Sequence, residues 1–374
     1  MSNVAYPPII IGANVELVTM CTDNGSRITM NTSFDHNGPG IRGNLFGLPF
    51  SLENSNVIVI EAPWDVTVSY HDGTSGGPRA ILDASYQVDL FFKEIPDAWK
   101  LGVCMHRAPD HVAEENKLHR RQAIQHIKRI ESGEKVAGDD PTLATINQAC
   151  ENLNEYIKST AKKYLAEGKI AAVVGGDHSC PLGYIRALTE VYDRFAVLQI
   201  DAHADLRRSY EGFSYSHASI MYNALKIPAV AKLIQVGIRD LCNEEADVMQ
   251  RAMGRIVTFF DCDVKALLLN GKSWDHICAD IIKHLPSNIY MSVDIDGFDP
   301  KLCPNTGTPV PGGLEFEQFV YLLKKIVMSG RKIIGFDLCE VSPGRDDWDA
   351  NVGARILYQL CNWTAVSHKK LVVG

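Results

Sequence analysis

Asp201-Ala-His-Ala-Asp205 sets two carboxylates and an imidazole at alternate positions, directly after the apolar run Phe195–Ile200. Side chains of an extended segment alternate between faces, so Asp201, His203 and Asp205 point the same way with only alanine between them. Acids crowded with an imidazole at a buried strand end repel one another and are poorly solvated unless a cation sits among them. The run 288–293 repeats the design, leading into Asp294-Ile-Asp296 with acids again two apart. A third apolar run, 170–174, leads into Gly175-Gly-Asp-His-Ser179. An ion-pair network would account for one such cluster. Three strand ends that together carry His178, Asp201, His203, Asp205, Asp294 and Asp296 point to bound metal. Asp177 reads as a turn or supporting residue beside His178. Gly175-Gly176 lacks the Lys and Ser/Thr spacing of a phosphate loop and reads as a tight turn.

The elements that must hold these residues follow from periodicity. Strands are expected near 57–60, 88–92, 170–174, 195–200, 232–237, 255–259, 288–293 and 332–338. Helices are expected near 110–132, 140–167, 181–191, 217–225, 243–253, 263–284, 315–329 and 349–361, with a short one from Arg79. This alternation is the rhythm of an α/β fold in which helices cover a parallel sheet. Ligands of such sheets bind beyond the carboxyl ends of the strands, which is where the acids and histidines lie. Residues 1–55 are polar and rich in Gly, Asn and Pro. They read as an irregular N-terminal extension packed on a single catalytic domain spanning 56–374, at a subunit contact.

A net charge of −8 without a dense basic cluster argues against nucleic acid as a partner; Lys117-Leu-His-Arg-Arg121 reads as a solvated helix face. No apolar stretch approaches membrane-spanning length, and the start of the chain lacks a secretory pattern. Ten scattered cysteines without a C-x-x-C read as reduced, buried thiols, so the cytoplasm is the expected compartment.

The three metal-type motifs in order resemble the signature of the ureohydrolases, the arginase and agmatinase family, and the likeness continues through Gly307-Thr-Pro-Val-Pro-Gly-Gly-Leu314 and Phe336-Asp-Leu-Cys-Glu-Val-Ser-Pro343. The resemblance covers roughly 57–365 and implies a three-layer α/β/α sandwich with an eight-stranded parallel sheet. It implies two divalent ions, one held by His178 and Asp205, the other by His203 and Asp296, with Asp201 and Asp294 bridging. Manganese is the usual metal of the family, with nickel in a guanidine-hydrolysing branch. By the same resemblance Asp205 also steers the attacking oxygen, Glu340 pairs with the guanidinium, His217 carries protons and Thr308 lines the substrate pocket. The plainer readings, weighed below these, are that Glu340 anchors a loop through a salt bridge and that His217 is a hydrogen-bonded core residue. Family members assemble as trimers or hexamers, so a homotrimer or homohexamer is expected, and a metal-loading chaperone is a conceivable partner.

Departures from the arginase pattern bear on the substrate. Arg207 stands where arginases carry the Asn that holds the amino-acid carboxylate, and Cys242 where they carry an Asp for the α-ammonium. Arginine is therefore disfavoured, and agmatine too if Arg207 faces the pocket. Phe46-Gly-Leu-Pro49, Pro63–Tyr70 and Asp346–Ala354 resemble the agmatinase-like branch that includes guanidine hydrolases, so guanidine or a small derivative is the expected substrate. His71, in its Gly-rich loop, is a further pocket candidate, and Cys339 is expected near the site. The other histidines read as structural. An agmatinase or a guanidino-acid hydrolase of guanidinobutyrate type is the alternative substrate reading; a one-zinc deacetylase on the related fold and an inactive partner subunit are the competing functions, and the full ligand set disfavours both.

Overall fold

A computed structural model describes the segments Leu17–Cys21 and Arg27–Asn31 and residues 34–373 apart from 139. The two N-terminal segments, β1 and β2, pair antiparallel, so the expectation of an irregular stretch to residue 55 needs correction there. The rest of that expectation before residue 34 lies outside the described residues. Leu45, Phe46, Leu48 and Phe50 are buried in the main core, with Phe46 edge-on to Tyr358 at 5.0 Å.

Eight strands form one sheet: β3 (Val57–Ala62), β4 (Val103–His106), β5 (Ile170–Gly175), β6 (Phe195–Ile200), β7 (Val230–Ile238), β8 (Ile256–Phe260), β9 (Asn288–Asp294) and β10 (Lys332–Cys339). Their order is β4-β3-β5-β10-β9-β6-β7-β8, and every pairing is parallel. Period-two alternation divides each central strand between two cores. Ala196, Leu198 and Ile200 face one core; Phe195 and Val197 face the other. Helices Gly77–Ala84, Trp274–Lys283, Phe316–Met328 and Trp348–Ser367 cover the first face. Helices Asp110–Glu131, Pro141–Ala166, Leu182–Leu188 and Ile220–Leu225 cover the second. The architecture is an α/β/α sandwich.

Two expectations fail locally. Residues 88–92 are no strand; the neighbour of β3 is Val103–His106. Val88, Leu90 and Phe92 are buried while Asp89 and Phe91 are exposed, so the alternation is real. It is satisfied by packing on the last helix, where Tyr358 donates to the Leu90 carbonyl at 2.7 Å, rather than by a ladder. The helix expected over 263–284 is two, Asp261–Leu269 and Trp274–Lys283. Gly271 at φ +84° ends the first, and Ser273 caps the second by accepting from the His276 N–H.

Strand order brings the chemistry together. β5, β10, β9 and β6 are consecutive neighbours, although the chain visits β5 and β6 first and reaches β9 and β10 much later. The chain's excursions to either side of this pair leave a crevice at the carboxyl edge, the usual ligand position in open parallel sheets. Register levels the strand ends: Val293 pairs with Ile200 and Leu338, and Asp294 with Cys339.

Candidate metal centre

β5 ends in a turn so tight that a Cβ on Gly176 would lie 1.9 Å from the Trp64 carbonyl oxygen. The Asp177 N–H donates to that oxygen at 2.7 Å. The Asp177 carboxylate accepts from the Ser179 N–H at 3.0 Å, so it braces the turn instead of facing the site. His178 follows, with its backbone N–H donated to the Glu340 carboxylate at 2.9 Å. After β6, Asp201 accepts from the His203 N–H at 2.6 Å; after β9, Asp294 accepts from the Asp296 N–H at 2.8 Å. Each strand end thus curls on its own carboxylate and presents the next ligand-type side chain.

The six side chains converge. Nδ1 of His178 lies 3.0 Å from a carboxylate oxygen of Asp201, 3.0 Å from one of Asp205 and 3.3 Å from one of Asp294. Nδ1 of His203 lies 3.0 Å from Asp296 and 3.7 Å from Asp201. Two groups, His178/Asp201/Asp294 and Asp201/His203/Asp296, each offer three donor atoms close enough to share one ion, with Asp201 common to both. All are buried except His203, whose side chain is 24% exposed.

The residues fit a pair of divalent cations. Nδ1 of His178 is buried without a hydrogen-bond partner although three carboxylates surround it. Its Nε2 has one: it donates to Ser292 Oγ at 2.9 Å, which donates to Asp337 at 2.8 Å. That chain fixes the tautomer and leaves the Nδ1 lone pair for a cation. Protonation without metal tells the same story. Burial and the Asp201 charge push the Asp205 carboxyl up to about 7, and burial with Asp296 raises Asp294 well above the carboxylate range. Burial opposes charge on His178, but the Asp201 and Asp205 carboxylates close by outweigh it and raise the imidazole. Protons gather where positive charge is missing.

Two of the non-glycine residues with positive φ sit here, Asp205 at +56° and Glu340 at +62°. Left-handed backbone at bulky residues persists only where surroundings impose it, and it concentrates at functional sites. The turn at Asp205 aims its carbonyl at the N–H groups of Met221 and Tyr222, 3.1 Å from each. The Glu340 N–H is held by the Gly176 carbonyl at 2.8 Å, and Thr306 Oγ1 donates to the Glu340 carbonyl at 2.8 Å. The carboxylate thereby lies between the β5 and β9 loops.

A cavity of about 170 Å³ opens over the cluster, lined by His203, Asp205, Arg207, His217, Thr308 and their neighbours Ser69, Tyr210, Asp240 and Glu245. Thr308 Oγ1 is 3.5 Å from Asp296. Burial and the charges of His203 and His178 push the His217 imidazole down to about 3. Arg207 stacks on Tyr210 at 4.7 Å, with Nε 3.7 Å from Glu245. His71 is not in this wall. It is exposed, lies tilted against the Tyr70 ring with centroids 4.0 Å apart and lines an adjoining hollow of about 610 Å³ with Arg120 and Ser342. Cys339 is buried under the site, and a Cβ on Gly175 would meet its sulfur at 2.6 Å.

Two organising residues escaped the sequence reading. Arg239 donates to the carbonyls of Asp296 and Val310, both at 2.8 Å, tying the β7 loop to the β9 loop and to the segment bearing Thr308. Glu245 accepts from the N–H groups of Leu206 at 3.0 Å and Cys242 at 2.9 Å. Gly237-Ile-Arg-Asp240 was the available signal for Arg239. Glu245, on an ordinary amphipathic helix, gave none.

A model of the arginase family matches residues 55–362. The chain belongs to the arginase family. It is a ureohydrolase, a hydrolase of guanidino C–N bonds. This family member is 31% identical over 306 residues to the N(1)-aminopropylagmatine ureohydrolase of Thermus thermophilus, covering 82% of this chain and 89% of that protein. The enzyme of the same name from Synechocystis sp. is 28% identical over 326 residues, covering 86% and 92%. The agmatine ureohydrolase of Thermoplasma volcanium, 23% identical, superposes with a TM-score of 0.66 over 88% of this chain and 96% of that one, so the fold is shared. No helix among the described residues of this ureohydrolase is long and apolar enough to cross a membrane.

Proposed function

We propose that this ureohydrolase acts on guanidine or a small guanidino compound, releasing urea with ammonia or an amine, through two Mn²⁺ or Ni²⁺ ions. The observation that carries this reading is Arg207 in the wall of a cavity of only about 170 Å³ beside His203, Asp205 and His217. A guanidinium fixed there by Tyr210 and Glu245 repels a cationic substrate tail, and the volume leaves little room for a long one. The relatives named for aminopropylagmatine and agmatine take their names from such tails, so this chain departs from them in specificity. The same Arg207 supports a second reading, a guanidino acid whose carboxylate pairs with the guanidinium.

In the mechanism, His178 and Asp205 would hold one ion, His203 and Asp296 the other, with Asp201 and Asp294 between them. When bound, the ions supply the charge that makes a water nucleophilic at neutral pH. Asp205 accepts a hydrogen bond from that water and turns its lone pair to the guanidinium carbon. Glu340 pairs with the guanidinium N–H groups and fixes the plane under attack. The water oxygen joins carbon as its proton passes to Asp205, and the C–N bond to the leaving nitrogen breaks as that proton reaches the nitrogen by way of His217, whose neutral ring takes it up before giving it on. Thr308 and Arg207 bound the pocket. His71 belongs to the adjoining hollow and has at most a role on the approach path. A cytoplasmic homotrimer or homohexamer, with the N-terminal extension at a subunit contact, completes the proposal.

The test is urea release by purified protein loaded with each metal, across guanidine, methylguanidine, guanidinoacetate, guanidinobutyrate, agmatine and arginine. Small guanidines should rank first and arginine last, and Arg207→Ala should raise agmatine turnover relative to guanidine. Agmatine or arginine leading with the unaltered protein sinks the substrate reading. Acetate release from amides, or no turnover at all, would favour the deacetylase-like or inactive-partner alternatives.

A further inference from the structure

One row below the metal cluster, the sheet carries a run of polar residues on three neighbouring strands. Thr258 on β8, Gln235 on β7 and Gln199 on β6 are direct cross-strand partners and share one face. Gln199 and Gln235 have no solvent exposure. Two uncharged amides buried in a sheet cost stability unless every polar atom is paired. Here the pairing is complete and runs one way. Thr258 Oγ1 donates to the Gln235 side-chain oxygen at 2.8 Å. The Gln235 amide donates to the Gln199 oxygen at 2.7 Å and the Ala204 carbonyl at 2.9 Å. The Gln199 amide donates to the Asp201 carboxylate at 2.7 Å and the His203 carbonyl at 3.2 Å. Neither amide can be turned over, because each nitrogen faces two acceptors.

We infer that Gln199, held by Gln235 and Thr258, is a positioning residue for the metal pair: it donates to the carboxylate common to both ion sites and fixes its rotation. The inference rests on the binuclear reading of the cage. Asp201 must present one oxygen to each ion group, and a rotation about its side-chain bond would open one site while crowding the other. A neutral donor restrains that rotation and leaves the carboxylate's charge for the metals, which a lysine or arginine would not. The Gln235 bond to Ala204 pins the backbone between His203 and Asp205 in the same act. Gln199 touches neither substrate nor cation, so its effect should appear in metal affinity before chemistry.

The experiment strips wild-type, Gln199→Met, Gln235→Met and the double variant of metal, then titrates each with Mn²⁺ against a fluorescent chelator. Thermal unfolding of the stripped proteins is measured alongside. Gln199→Met should weaken Mn²⁺ binding roughly 10–100-fold, the usual cost of losing a partner behind a ligand. Gln235→Met should weaken it less, and the double variant should bind no worse than Gln199→Met alone, since one change acts through the other. Unchanged affinity in Gln199→Met, or losses that simply multiply in the double variant, would overturn the inference. Should either glutamine variant fail to fold, Thr258→Val decides: affinity lowered several-fold at unchanged stripped-protein stability supports the row, and unaltered affinity overturns it. Wild-type protein that takes up no second ion would instead sink the reading of the cage.

Discussion

Glu340 combines three properties that seldom coincide: left-handed backbone, near-complete burial and a carboxylate with one oxygen committed to the His178 N–H. Burial and the nearby Asp177 charge raise its carboxyl well above the usual range in the metal-free protein, so Gln in its place should cost the apo fold little. On the role proposed for it, Glu340→Gln removes a charge-assisted pairing with the guanidinium, worth roughly 1.5–3 kcal/mol, or about 10–100-fold in kcat/KM. Steady-state kinetics should find that loss mainly in KM with both ions retained. A variant with wild-type KM would mean that the carboxylate only ties the β10 loop to β5. Asp205, the other left-handed acid at the site, was expected there from its spacing, but its backbone state was not legible, because it follows from the two helical N–H groups its carbonyl must meet.

At the scale of elements, the helix Trp348–Ser367 ends where His368 Nε2 donates to the Ile333 carbonyl at 2.8 Å, closing the start of β10. Burial, aided by the Lys332 charge, pushes this imidazole down to about 4. Its folded pKa lies below its unfolded one, so the unfolded chain binds the extra proton between pH 6.5 and 4. Stability supplied by neutral His368 is therefore complete above pH 6.5 and drains away as pH falls through that window. The full shift corresponds to roughly 3 kcal/mol, and solvent screening at this half-buried position leaves about 1–2 kcal/mol. His368→Gln keeps a donor and removes the titration. Denaturant unfolding at pH 5 and 7.5 should show a smaller gap for the variant than for wild type; equal gaps would refute the assignment. The segment Val88–Phe92 carries the complementary lesson about elements. Alternating burial was legible there, but whether another strand lies beside it is decided by residues far along the chain.

For the whole molecule, the cage puts unfavourable charge at the centre of the sheet. Four aspartates of like charge converge on two imidazoles beside the buried Glu340, and two divalent ions would balance the four aspartates. Ions bound to the folded state alone add RT ln(1 + [L]/Kd), about 2.7 kcal/mol at a hundredfold excess over Kd. Chelation should accordingly leave the far-ultraviolet circular dichroism intact, since both hydrophobic cores lie outside the cage. It should lower Tm by roughly 5 °C, reversed by adding back Mn²⁺ or Ni²⁺. A Tm indifferent to chelator and metal alike would contradict a bound pair.

The residue types at the strand ends, their two-residue spacing and the apolar runs before them are local properties, and the sequence by itself determined them: Asp201, His203 and Asp205 had to share a side because the extended chain repeats every two residues. That β5 and β6 lie apart with β10 and β9 between them was decided only by the tertiary structure. So were the row from Thr258 to Gln199, the loops gathered by Arg239 and the placing of Arg207 over the cluster but His71 beyond it. Each depends on which strands pair and in what register, and that is set by the sum of packing over residues hundreds of positions apart, which no short window of sequence contains.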